Sequence, residues 1–73
     1  MKKVNIIIPV YADWPSLKEN IRSLKKYYLN NKNVNIYYVN DCGPEVDFLE
    51  TKIKNLINNS SNFYYNRNES NLG

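Results

Sequence analysis

Three consecutive isoleucines, Ile6, Ile7 and Ile8, lie within a mainly apolar run from Val4 to Val10. Successive side chains of a strand point to opposite faces, so this run is apolar on both, as in a central strand of a parallel sheet. Pro9 falls at its carboxyl end, where the loss of a ladder donor does least harm. A parallel partner cannot be reached by a tight hairpin and requires a crossover, usually helical.

The next residues supply that crossover. Asp13 precedes Trp14 and Pro15, giving a capping carboxylate and a proline in the first helical turn. Leu17, Ile21, Leu24 and Tyr28 then recur at helical spacing as one apolar stripe, with Lys18, Glu19, Arg22, Lys25 and Lys26 opposite, and Asn30-Asn31 ends the helix. Val34 to Val39 is rich in β-branched and aromatic residues and reads as a second strand, followed by a turn at Asn40 to Gly43. Pro44 opens a second helix whose buried stripe is Val46, Leu49, Ile53 and Leu56, and Asn58 to Asn62 closes it. Phe63-Tyr64-Tyr65 forms a short third strand leading into the polar segment 66–73.

The order β-α-β-α-β predicts an α/β fold with a three-stranded parallel sheet. Right-handed crossovers that step in one direction place both helices on one face of the sheet. The other face is then bare and apolar, an association hazard that a further part of a longer chain or a second copy is expected to cover.

Charge and composition exclude several classes. The 73 residues carry ten basic and seven acidic side chains, and this net +3 is scattered over a strand start and two helices rather than gathered into a nucleic-acid surface. A single cysteine, Cys42, excludes an internal disulfide, and with no histidine a zinc site has few ligands to draw on. The Val4 to Val10 run follows two lysines but is too short, and contains Pro9, so it fits a strand better than a signal peptide. Cytoplasmic residence is the simplest expectation, with any membrane-surface association left to other regions. The three glycosylation sequons, at Asn58, Asn59 and Asn68, are what chance produces in a chain with fourteen asparagines.

Ligands of open α/β sheets bind beyond the carboxyl ends of the strands. Two residues stand there: Tyr11, whose ring can lie against a base or sugar, and Asp41, whose carboxylate can accept hydrogen bonds. Each has a plain structural alternative, Tyr11 as a half-packed aromatic and Asp41 as a turn former. No G-x-x-x-x-G-K-[ST] loop is present, and the turn from Tyr11 to Pro15 contains no glycine to admit a pyrophosphate. A Ser/His/Asp or Cys/His nucleophile site is excluded within these residues, and Ser16 fits a helix start.

The segments Val4-Asn5-Ile6-Ile7-Ile8-Pro9-Val10-Tyr11, Asp13-Trp14-Pro15-Ser16-Leu17 through Ile21-Arg22-Ser23-Leu24, and Tyr38-Val39-Asn40-Asp41-Cys42-Gly43 resemble the amino-terminal part of a family 2, GT-A-type glycosyltransferase. Asn71-Leu72-Gly73 resembles the start of that family's later Asn-x-Gly segment. The resemblance spans nearly the whole chain. It implies that residues 1–73 are the first half of a GT-A domain, the Rossmann-like nucleotide-diphospho-sugar transferase fold.

By the same resemblance, Pro9, Val10 and Tyr11 would line a base and ribose pocket, with Tyr11 stacking on the base. Asp41 would accept the hydrogen bond of a base imide, which suits uracil or thymine better than adenine. The implied donor is a UDP-sugar, and the implied acceptor is a saccharide or lipid-linked hydroxyl. The family's Asp-x-Asp motif, which holds Mn2+ or Mg2+ against the diphosphate, and its general base are expected beyond Gly73, so no catalytic or metal-binding residue is assigned here. Glu45 and Asp47 have Asp-x-Asp spacing but read as helix-start acids favoured by the helix dipole. The sequence departs from the family at Asn40, where an acid is usual, and at Cys42 and Pro44, where Gly and Thr or Ser are usual. A reading from another class is a truncated, noncatalytic α/β fragment that self-associates. A sugar-nucleotide-forming nucleotidyltransferase is disfavoured by the missing glycine-rich loop.

Overall fold

The computed structural model describes residues 2–11 and 13–68. Five elements follow one another: β1 (Val4–Pro9), α1 (Trp14–Tyr28), β2 (Val34–Asn40), α2 (Val46–Ile57) and β3 (Phe63–Arg67). The strands form one parallel sheet in the order β1-β2-β3. The register runs from Val4 opposite Val34 to Pro9 opposite Val39, and from Ile36 opposite Phe63 to Asn40 opposite Arg67. The isoleucine-rich strand therefore lies at an edge and β2 takes the centre, because each crossover steps one strand further in the same direction.

The helices share one sheet face, as right-handed crossovers require. Ile21, Leu49 and Ile53 pack against Ile36 and Tyr38 of the central strand, and all five are essentially inaccessible to solvent. Full burial of side chains this size contributes about 1.5–3 kcal/mol each. Ile6, Ile8 and Tyr65 are partly buried against the same cluster. Between the helices, the Lys25 ammonium donates to the Leu56 carbonyl.

Local chemistry sets the helix ends. At the start of α1, Asp13 accepts from the Ser16 hydroxyl at 2.8 Å and from the Ser16 backbone N–H at 3.4 Å. Lys25 and Lys26 occupy the last turn, where cations favour the dipole, and Asn30 leaves it at φ 60°. α2 begins differently from the sequence expectation. Pro44 precedes the helix, and Glu45 is its N-cap in a left-handed conformation, φ 56°, with no side-chain capping bond. Asp47 alone of the two acids lies in the first turn. The buried stripe of α2 includes Ile57, while Leu56 is only half-buried, so the helix ends tilted one residue further round than the stripe predicted.

The opposite sheet face carries no helix among the described residues. Ile7 is 68% exposed, and across the register Tyr37 stacks on Tyr64 with ring centroids 5.0 Å apart. Tyr64 itself is 42% exposed. No helix among the described residues is long and apolar enough to cross a membrane.

Candidate functional site

The carboxyl ends of the three parallel strands form one rim, and the candidate residues lie along it. At the first strand end, the Val10 N–H donates to the Val39 carbonyl at 2.9 Å, extending the β1–β2 pairing past Pro9. Val10 turns inward and is buried in the core, whereas Tyr11 is 73% exposed. The Asp13 N–H bonds to the Tyr11 carbonyl at 2.8 Å, so the chain bends tightly there on its way into α1.

A groove of about 440 Å³ opens beside this bend, lined by Ile8, Pro9, Tyr11, Asp13, Ser16, Leu17 and Asn20. Ile8, Pro9, Tyr11 and Leu17 make most of its lining apolar, and Asp13, Ser16 and Asn20 add polar groups at the start of α1. Of the residues expected to bind a nucleoside, Pro9 and Tyr11 line the groove, while the Val10 side chain packs in the core. Asn20 on the groove wall also accepts a hydrogen bond from the Tyr38 hydroxyl at 2.9 Å. Burial pushes the Tyr38 phenol well above its ordinary range, so this hydroxyl acts as a neutral donor.

Asp41 lies on the neighbouring strand end. The β1–β2 register ends at Pro9 opposite Val39, and Tyr11 and Asp41 each stand two residues beyond it on neighbouring strand ends. The two are adjacent in this sense, yet Asp41 is not among the residues lining the groove. It is half-buried, and its Oδ1 accepts from the Asn68 side-chain amide at 2.9 Å. The Asn68 backbone N–H donates to the Asn40 carbonyl, also at 2.9 Å. Asn68, just past β3, therefore grips the turn that carries Asp41 at two points.

Asn40, read from sequence as the first residue of that turn, is instead the last residue of β2 and only 1% exposed. Its Oδ1 accepts from the Gly43 N–H at 3.1 Å and closes the turn from inside. Among the described residues its buried Nδ2 has no partner within hydrogen-bond distance, nor has the Tyr65 hydroxyl, although the Asn40 amide lies close enough to that hydroxyl to favour its ionised form slightly. Burial, and then the charge of Glu50, raises the Tyr65 pKa. An amide suits such a position, because a carboxylate would place a charge where water does not reach. The residue after Asp41, Cys42, has φ 58°, a left-handed conformation that disfavours side chains with a Cβ.

On the far side of β2, Arg67 pairs with Asp47 at 2.7 Å and approaches Glu50 at 3.7 Å. Asp47 is thus committed to an ion pair as well as to its helix start. Among the described residues no group of three or more His, Cys, Asp or Glu side chains is placed to hold a metal ion. Asn71-Leu72-Gly73 lies outside the described residues.

Arg67 and Asn68 were not singled out from sequence. The signal was available: Arg67 ends the third strand and Asn68 follows it, at the same carboxyl rim that drew attention to Tyr11 and Asp41.

Comparison with protein families gives a match. The model described as glycosyl transferase family 2 matches residues 5–73. No curated protein and no solved structure matches the chain.

Proposed function

Since this chain belongs to glycosyl transferase family 2, we propose that it supplies the nucleoside-binding corner of an enzyme that moves a sugar from UDP to an acceptor hydroxyl. The observation that carries the reading is the placement of Tyr11 and Asp41 at the carboxyl ends of adjacent parallel strands, with Tyr11 lining an open groove and Asp41 outside that lining. Ligands of open α/β sheets bind at this rim. An exposed aromatic ring in a mostly apolar lining suits a flat base, and a half-buried carboxylate suits the N–H of a uracil imide. Pro9 contributes a rigid wall beside Tyr11, and the Val10 N–H ties the strand end to β2 just before the bend.

A divalent cation belongs to this proposal only through the family, as the group that would neutralise charge on the leaving diphosphate. The described residues offer no ligand set for it. No step is therefore assigned to a metal here, and no residue of 1–73 is assigned a catalytic role.

A second reading is favoured by one observation, the uncovered sheet face with Ile7 exposed and Tyr37 stacked on Tyr64. On this reading the chain is a noncatalytic α/β unit that associates with itself through that face. Calorimetry separates the two. UDP binding that is lost in Tyr11→Ala and Asp41→Ala, and is unchanged by Mn2+, supports the nucleoside corner. Absence of binding at millimolar UDP favours the noncatalytic unit.

A further inference from the structure

We infer that Asn68 is a positioning residue that makes Asp41 selective for a base with an imide N–H, an inference that rests on the nucleoside reading above. Asn68 spans two elements. Its backbone N–H reaches the carbonyl of Asn40 at 2.9 Å, and its side-chain amide reaches Asp41 Oδ1 at 2.9 Å. The first bond prolongs the β2–β3 ladder one step beyond Arg67 and Asn40, so the Asn68 side chain leaves a fixed point of the sheet. The second is a hydrogen bond to a carboxylate, short and directional, and it sets the rotation of the Asp41 side chain about its own bonds.

An ionised carboxylate only accepts hydrogen bonds, so one held toward N3 discriminates between the bases, whereas one free to turn can reach the 4-amino donor of cytosine instead. Uracil presents N3–H as a donor and cytosine presents N3 as an acceptor, so a carboxylate held toward N3 accepts from the first and repels the second. Leaving the acceptors of a mismatched pair without a donor is the costly arrangement, which is why hydrogen-bonding sites reject analogues more strongly than apolar pockets do. The turn is braced from the other side by Asn40 Oδ1, which accepts from the Gly43 N–H. Asn40 fixes the backbone of the turn, and Asn68 fixes the orientation of the side chain.

The test measures UDP and CDP affinity by calorimetry for the wild-type chain, Asn68→Ala and Asn68→Leu. Asn68→Leu is close in size, adds no charge beside Asp41 and keeps the backbone bond to Asn40, so it reads loss of the amide if the alanine variant fails to fold. The expected result is a UDP-to-CDP preference reduced about tenfold in both variants, chiefly through weaker UDP binding. A folded variant that loses affinity for both nucleotides equally, or for neither, overturns the inference while leaving the nucleoside corner standing. Wild-type chain that binds neither nucleotide overturns the nucleoside reading and this inference with it. A ligand-free measurement checks the contact itself: the Asn68 side-chain amide protons should exchange slowly with solvent and become fast in Asp41→Ala, and fast exchange in the wild type overturns the clamp directly.

Discussion

The side-chain amide of Asn62 donates to the carbonyl of Tyr28 at 2.7 Å, joining the residue before β3 to the last residue of α1. The same amide reaches the carbonyls of Val34, at 2.7 Å, and Asn31, at 3.2 Å, and its oxygen accepts from the Asn30 N–H at 2.8 Å. One buried side chain thus satisfies backbone groups left over at a helix end and a strand start. Asn62→Ala strands several of them, and the expected loss is about 3 kcal/mol by urea denaturation. Asn62→Asp should lose at least as much at neutral pH, since a carboxylate has no donor for three carbonyls. A loss below about 1 kcal/mol in either variant means that water replaces the amide.

Cys42 stands in a left-handed conformation, φ 58°. A side chain with a Cβ costs about 1–2 kcal/mol there. Part of that gain is offset by the greater freedom of glycine in the unfolded chain. Cys42→Gly should therefore stabilise the fold by roughly 0.5–1 kcal/mol, seen as a higher urea midpoint with an unchanged slope. A lower midpoint would show that the thiol contributes more by packing than the backbone loses by strain.

Tyr38 gives the stability a dependence on alkaline pH. Its phenol is raised by burial above its ordinary value of 10.0. Below that ordinary value the folded and unfolded chains both hold the proton, and Tyr38 adds no pH dependence. Above it the unfolded chain releases the proton while the folded chain retains it, so stability falls as pH rises. Denaturation midpoints should be level from pH 7 to 9 and decline above about 10, and Tyr38→Phe should flatten that decline. An unchanged slope in Tyr38→Phe would assign the decline to other groups.

The uncovered sheet face makes a separate prediction. Ile7 projects from it at 68% exposure, beside the Tyr37 and Tyr64 pair. Light scattering of the 73-residue chain should show concentration-dependent association. Ile7→Lys should suppress that association with little change in stability, since an exposed side chain has little packing to lose. A wild-type chain that stays monomeric at high concentration contradicts it.

The order of the elements was legible because it depends on local patterns. The Ile6-Ile7-Ile8 run, the Leu17, Ile21, Leu24 and Tyr28 stripe and the cap at Asp13 each report on their own neighbourhood. The roles of the asparagines were not legible. Asn40, Asn62 and Asn68 are spelled like the other eleven asparagines, and only contacts from distant elements make one a strand end, one a buried staple and one a clamp. Glu45 stands at the helix start as its spelling suggests, but at the N-cap rather than in the first turn, and its left-handed backbone was not legible. At the candidate site, the crevice rule located Tyr11 and Asp41 from strand ends alone. It gave no warning that Val10 would turn into the core.

The account depends most on the nucleoside corner, and a titration of the isotopically labelled chain with UDP, followed by amide chemical shifts, tests it most directly. The predicted result is saturable, fast-exchanging shifts confined to the carboxyl rim, at Tyr11, Asp13, Ser16 and Asp41 and their immediate neighbours, and lost in Tyr11→Ala. Absence of shifts at millimolar UDP, or shifts centred on Ile7, Tyr37 and Tyr64 instead, would contradict it.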